Sequence, residues 1–187
     1  ASAVGMDVDD TRLLLSLPSH VEVRRRQGSA VDVVRIDGMR HPARLLPAGG
    51  AVGVWDGALV VVDEKGQEQR RWPTGLAFVH DVVIDGDDAV VIGQALDDAA
   101  QQAVVFLSMA TGLASPPKTT PRAWACASFA VVEDGDGFSR WTSSSSTPLA
   151  RPGGKVVDVA CGADGIAAVT TSPAQLAMLE GETPSMP

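Results

Sequence analysis

The residues that could do chemistry in this chain of 187 residues are few and widely spaced. Of the three histidines, His20, His41 and His80, only His80 has a neighbouring carboxylate, in Asp81. A His-Asp pair can shuttle a proton or bind a metal when a third polar group converges on it, and Arg35 is the cation considered with it. Read by themselves, these are strand residues with a hydrogen-bonded or solvated imidazole. Two acidic turns, Asp85-Gly86-Asp87-Asp88 and Asp134-Gly135-Asp136-Gly137, invite a calcium reading. The second places Phe138, which has no oxygen to offer, where a third ligand belongs, and the first has too few alternating ligands, so both read as hairpin turns. Gly153-Gly154-Lys155 runs into Val156 and lacks the hydroxyl that a phosphate loop supplies to magnesium. No nucleophile elbow, H-E-x-x-H or C-x-x-C motif occurs, so neither a catalytic residue, a cofactor nor a metal site is assigned.

The elements that would position such groups are short apolar runs. Apolar residues make up 45% of the chain, enough for a folded core, while aromatics at 4% leave that core to Val, Leu, Ala and Ile. His20 to Arg26 alternates Val21 and Val23 with polar neighbours, the period of a half-buried strand. Ala51 to Trp55 and Ala58 to Val62 flank Asp56-Gly57, and Phe78 to Ile84 and Ala89 to Ile92 flank the turn at Asp85-Gly86. Apolar runs joined by Asp-Gly are a strong hairpin signal, because both residues tolerate the positive φ of tight turns. Asp-Gly pairs at 37, 56, 85, 134, 136 and 164 punctuate the chain. Residues 114–121, with Pro117 and Pro121, read as a linker, and Ser143 to Ser146 as a flexible loop. Residues 95–102 suit a short helix or a loop equally. The pattern predicts an all-β chain of roughly sixteen strands.

Comparable first strands begin near residues 3, 43, 78, 123 and 155, at intervals of 40, 35, 45 and 32. Four-stranded propeller blades repeat at about 40 residues, whereas a sandwich gives no reason for a recurring interval. The expected fold is a β-propeller of four or five short blades over 1–179, followed by a flexible tail over 180–187. Such a ring could be partial, and another segment or chain would then have to cover its open sheet faces.

Val159, Ala160, Cys161 and Gly162, followed by Ala168, Val169 and Thr170 with Leu176 in the next strand, resemble the repeat of the regulator-of-chromosome-condensation (RCC1) family of propellers. A looser match runs through Trp124, Ala125, Cys126, Phe129 to Val132 and Trp141. In these segments Ala127 stands where the family has Gly after the Cys, and no Trp-Gly closes a repeat. The resemblance implies a rigid disc whose loops hold a protein partner.

A net charge of −8 argues against a nucleic-acid face, which needs cations to displace counterions from phosphates. No apolar run approaches a membrane span. Cys126 and Cys161 read as small buried hydrophobes. The function expected is a non-enzymatic protein-protein interaction scaffold, a subunit of a larger assembly, located inside the cell in the cytoplasm. Its candidate partner-binding residues are Trp55, Trp72 and the basic run Arg24, Arg25 and Arg26, a run that reads first as a solvated strand end or edge. The alternatives are a ligand-binding or enzymatic propeller, including a secreted bacterial one, with its site at the central channel, and an RCC1-like regulator of a small GTPase.

Overall fold

A computed structural model describes residues 2–135, 137–162, 165–172 and 174–181. Every regular element in it is a strand, and the strands form successive antiparallel meanders. The first blade consists of β1 (Gly5–Val8), β2 (Arg12–Ser16), β3 (His20–Gln27) and β4 (Ala30–Asp37), hydrogen-bonded in that order. The second is β5 (Arg40–Leu45), β6 (Ala51–Trp55), β7 (Ala58–Val62) and β8 (Glu68–Pro73). The third is β9 (Phe78–Asp85), β10 (Asp88–Gln94) and β11 (Gln102–Ser108), with an outer strand in two pieces, β12 (Leu113–Ala114) and β13 (Lys118–Thr120). The fourth is β14 (Arg122–Ala125), β15 (Ala130–Asp134), β16 (Gly137–Trp141) and β17 (Ser146–Leu149). The fifth has three strands among the described residues: β18 (Lys155–Gly162), β19 (Gly165–Thr171) and β20 (Gln175–Gly181). This is an all-β propeller architecture, and its blades start within a few residues of the expected positions.

Sheet-on-sheet packing explains why the middle strands are apolar without alternation. Successive side chains of a strand point to opposite faces, and an interior blade has a neighbour on each face. In β10 and β11, Ala89, Val91, Val105 and Leu107 pack towards the second blade, with Leu59 and Trp72. Their alternates Val90, Ile92, Val104 and Phe106 pack towards the fourth, with Ala130 and Val132. The same division puts Val131 and Phe138 of the fourth blade against Val156, Ile166 and Leu179 of the fifth. Leu14, Val21 and Ile36 of the first blade meet Ala51, Val60 and Val62 of the second. Among the described residues, no buried cluster joins the fifth blade to the first.

Local chemistry sets the turns. Asp56 and Gly57 adopt φ of 50° and 73°, the paired positive angles of a primed two-residue hairpin turn. The Asp134 and Asp85 turns likewise carry positive φ at Gly135 and Gly86, each 59°. Asp136 and Asp164 lie outside the described residues, as does the expected tail from 182 onward. β20 runs on to Gly181, two residues beyond the expected end of the sheet at 179.

Three expectations need correction, and one open reading is decided. There are twenty strands among the described residues rather than roughly sixteen, because short outer strands such as β12, β13 and β17 lack the apolar pattern that marks a strand in sequence. Residues 114–121 are not a free linker. Lys118, Thr119 and Thr120 pair with β11, and the prolines stand outside the ladder, so no missing N–H is needed. Residues 95–101 connect β10 to β11 without a helix, which decides the segment read equally as helix or loop in favour of the loop. The cysteines are not separate hydrophobes, since Cys126 and Cys161 form a disulfide whose Cα atoms lie 5.8 Å apart. They stand far apart in sequence, but the blade repeat places both at the joint of the fourth and fifth blades.

That cross-link spans 35 residues, and chain-entropy reasoning gives it about 3–4 kcal/mol. Urea unfolding of a Cys126→Ser/Cys161→Ser variant is expected to show a loss of that size. Reductant should lower the wild-type midpoint similarly and leave the variant unchanged.

Candidate functional site

The first strand of each blade builds the inner wall: β1 lies against β5, β5 against β9, and β9 against β14. Three of these strands carry the same local device. Asp7, Asp81 and Asp158 each accept the N–H of the following valine, at 3.1, 2.8 and 2.9 Å. The bond orients the carboxylate and leaves lone pairs for a neighbour. Asp7 also accepts the Leu45 N–H of the second blade at 2.7 Å, and Asp81 the Arg44 guanidinium at 3.0 Å. Among the described residues, Asp158 of the last blade has no such second partner.

Polar stitches of this kind recur at the other joints. The Gln102 amide oxygen accepts the Ala123 N–H at 2.6 Å, and Arg122 donates to the Val156 carbonyl at 2.8 Å. Arg12 is nearly buried and donates to the Leu46 carbonyl at 2.8 Å, while Asp9 holds its Nε at 2.7 Å. The Arg12 side chain, with the Thr11 and Arg12 backbone N–H groups, holds the Asp9 carboxyl down to about 2. Burial and the nearby Arg44 push the His41 imidazole below its usual range.

His80 and Asp81 do converge with groups from other blades. Together with Gln102, Trp124 and Asp158 they line an inner-wall cleft of about 170 Å³. Arg122 stacks over Trp124 at 4.6 Å, which fixes the indole at the cleft wall. Arg35 is not part of it, because it sits on the outermost strand of the first blade and pairs with Asp37 at 2.7 Å. A larger cavity of about 340 Å³ lies beside the broken outer strand of the third blade, where Ser115 accepts the Phe106 N–H at 3.0 Å.

The residues singled out for partner binding are distributed rather than clustered. Trp72 is 9% exposed and fills the joint between the second and third blades. Trp55 is half-buried beside its hairpin turn, with the Arg71 guanidinium 5.6 Å over its ring. It packs so closely on Gly38 (φ 85°) that a Cβ there would meet the indole at 2.7 Å. Arg25 faces the second blade and reaches Glu64 at 3.3 Å. Arg24 and Arg26 point the other way, to the open side of the first blade, where Arg24 pairs with Glu22 at 2.7 Å.

That open side is the feature that single residues did not reveal. Met6 and Val8 are each 65% exposed and Val33 is 49% exposed, all on one sheet face. At the other end of the arc, Val169 and Leu176 are 42% and 63% exposed. The signal was present in the sequence, in the triple apolar run Leu13-Leu14-Leu15, which has no polar alternate for an outward face.

No protein-family model and no curated protein matches the chain. Among solved structures it is similar to the WD40 domain of Neurospora crassa Pan2, at 15% identity and TM-score 0.62 over 87% of this chain and 58% of that one. It is similar to Kluyveromyces lactis Hsv2 at 12% identity and TM-score 0.67, over 96% of this chain and 60% of that one. A third similarity, to Kuenenia stuttgartiensis hydrazine synthase, has 16% identity and TM-score 0.54 over 92% and 52% of the two chains. At these identities the likeness establishes the propeller fold alone. The chain spans about three fifths of the first two structures.

The Asp9 pairing makes a pH prediction. Its folded pKa of about 2 lies below the ordinary 3.8, so its contribution is complete above pH 4 and is lost as pH falls towards 2. In urea titrations Asp9→Asn should be less stable than wild type at pH 6, and the gap should close by pH 2. Replacing Arg12 with Met should cost about 2 kcal/mol at pH 6, since it removes charge-assisted bonds across the first joint.

Proposed function

We propose that this chain is a non-enzymatic protein-binding scaffold that works as a subunit of a larger assembly. The observation that carries the reading is the pair of apolar sheet faces at the two ends of the arc. Isolated apolar side chains on a surface are ordinary, but a row such as Met6 and Val8 backed by Leu13 and Leu15 is a contiguous patch. A patch of this kind marks a surface that further polypeptide covers. The polar groups of the inner wall support the same reading, since Asp7, Arg44, Gln102 and Arg122 are occupied in holding blades together. Trp55 with Arg71 at a hairpin tip offers a further contact of the aromatic-arginine type favoured at interfaces.

The direct test is native mass spectrometry of the tagged chain purified from its own cells. A stoichiometric partner that survives a salt wash is expected. A lone, folded monomer would overturn the scaffold reading.

One observation favours a second reading, ligand binding at the channel: His80, Asp81, Trp124 and Asp158 meet around a single cleft. Trp124 supplies a built-in reporter. A small ligand held there should change indole fluorescence, and both Trp124→Phe and Asp158→Asn should abolish the change. A screen of cationic and neutral metabolites that leaves the emission unmoved would remove this alternative.

A further inference from the structure

The joint between the third and fourth blades is filled over part of its length. Cross-strand register lays out the third blade's face towards the fourth in rows. Ile92 and Val104 form one row and Val90 and Phe106 the next, and both are buried against Ala130 and Val132. The row after that is Asp88, Ser108 and Leu113, at the end of the sheet where β10 begins and β11 ends. Opposite it stand the β14–β15 and β16–β17 turns of the fourth blade, which contribute Ser128 and Ser143. Side chains this small do not bridge sheets packed about 10 Å apart, and a cavity of about 340 Å³ remains. By contrast, the joint of the second and third blades, where Trp72 and Leu107 meet, keeps a void of about 10 Å³.

We propose that this cavity binds a small organic amine, an ammonium group carried on an alkyl or aryl body. Its floor is apolar, built by Val90, Phe106, Leu107 and Leu113, and its size suits a small ligand. Two of its hydroxyls are tied to the backbone, Ser115 accepting the Phe106 N–H and Thr111 the Leu113 N–H. The other polar side chains are uncommitted. Among the described residues, those of Asp88, Ser108, Ser128 and Ser143 make no hydrogen bond or ion pair. One carboxylate and a ring of hydroxyl oxygens match the three donors of an ammonium. Asp85 and Asp87 of the same hairpin turn add negative potential, which rejects an anion. Polarity along the cavity sets the orientation. Lys118 holds its Nζ 5.9 Å from the Phe106 and Trp141 ring centroids. It stands in the Val104 row, about 13 Å of strand from Asp88. The ligand's charge is thus drawn to the Asp88 end and its apolar body lies towards Phe106. The site shares no residue with the inner-wall cleft and does not depend on a protein partner.

The test is methyl NMR of the full chain, titrated in turn with phenethylammonium, 2-phenylethanol and 3-phenylpropionate. Phenethylammonium is expected to shift the methyl signals of Val90 and Leu113 in a saturable way. The neutral alcohol should bind about tenfold more weakly for want of the charge-assisted bond, and the carboxylate should leave both signals in place. Asp88→Asn should remove the preference for the amine over the alcohol, and Ser128→Leu should fill the cavity and abolish both responses. Asp88 and Ser128 are exposed at a strand end and in a turn, so both variants should keep the wild-type urea midpoint. Should Ser128→Leu lower it, Ser143→Leu closes the cavity from the other turn. Val90 and Leu113 signals that never move, an equal response to all three probes, or a response unchanged in Asp88→Asn would overturn the proposal. Shifts at Val159 and the Trp124 indole in their place would put the amine in the inner-wall cleft and overturn it as well.

Discussion

Everything in this molecule depends on the contact between adjacent sheets. A four-stranded meander has two faces and little thickness, so it cannot bury its middle strands alone. Packing on both sides solves this: odd residues of a strand serve one neighbour and even residues the other, as Val91 and Val90 do in β10. The consequence is a scaffold whose stability is carried by joints rather than by a single central core. It also explains the shortage of aromatics, since closely spaced blades are filled by Val, Ala and Leu, with Trp72 packed in the joint between the second and third blades.

The polar groups follow from the same constraint. Blades splay around the inner wall, and the backbone there must find partners. Asp7, Arg44 with Asp81, Gln102 and Arg122 supply them in turn, one at each joint. Charged residues that look available for chemistry in the linear sequence are thus engaged in assembly, and the His80–Trp124–Asp158 cleft is where this economy leaves groups facing solvent. The disulfide adds a covalent tie at the joint that holds the last blade.

The blade starts were legible because hairpins announce themselves locally: Asp56-Gly57 between AVGVW and ALVVV needs no tertiary information. Outer strands were harder. β13 is three residues long, lies between prolines and is held by β11, which is 10 or more residues away in sequence. The cysteine pairing was illegible for a related reason. Only the register of two blades brings Cys126 to Cys161, and the Ala-Cys context of each residue says nothing about the other. Arg24 to Arg26 reads as one basic run, yet a strand sends alternate residues to opposite faces, so it splits into a joint contact and an open-face margin.

The central claim is that joints, not sheets, stabilise the chain, and that among the described residues the first and fifth blades are each packed on one face only. Hydrogen-deuterium exchange on the isolated chain, read strand by strand, tests this most directly. The account predicts strongest protection in β10, β11 and β15, with two covered faces, and markedly faster exchange in β2 and β19. Equal protection of β2 and β10 in the isolated chain would contradict it.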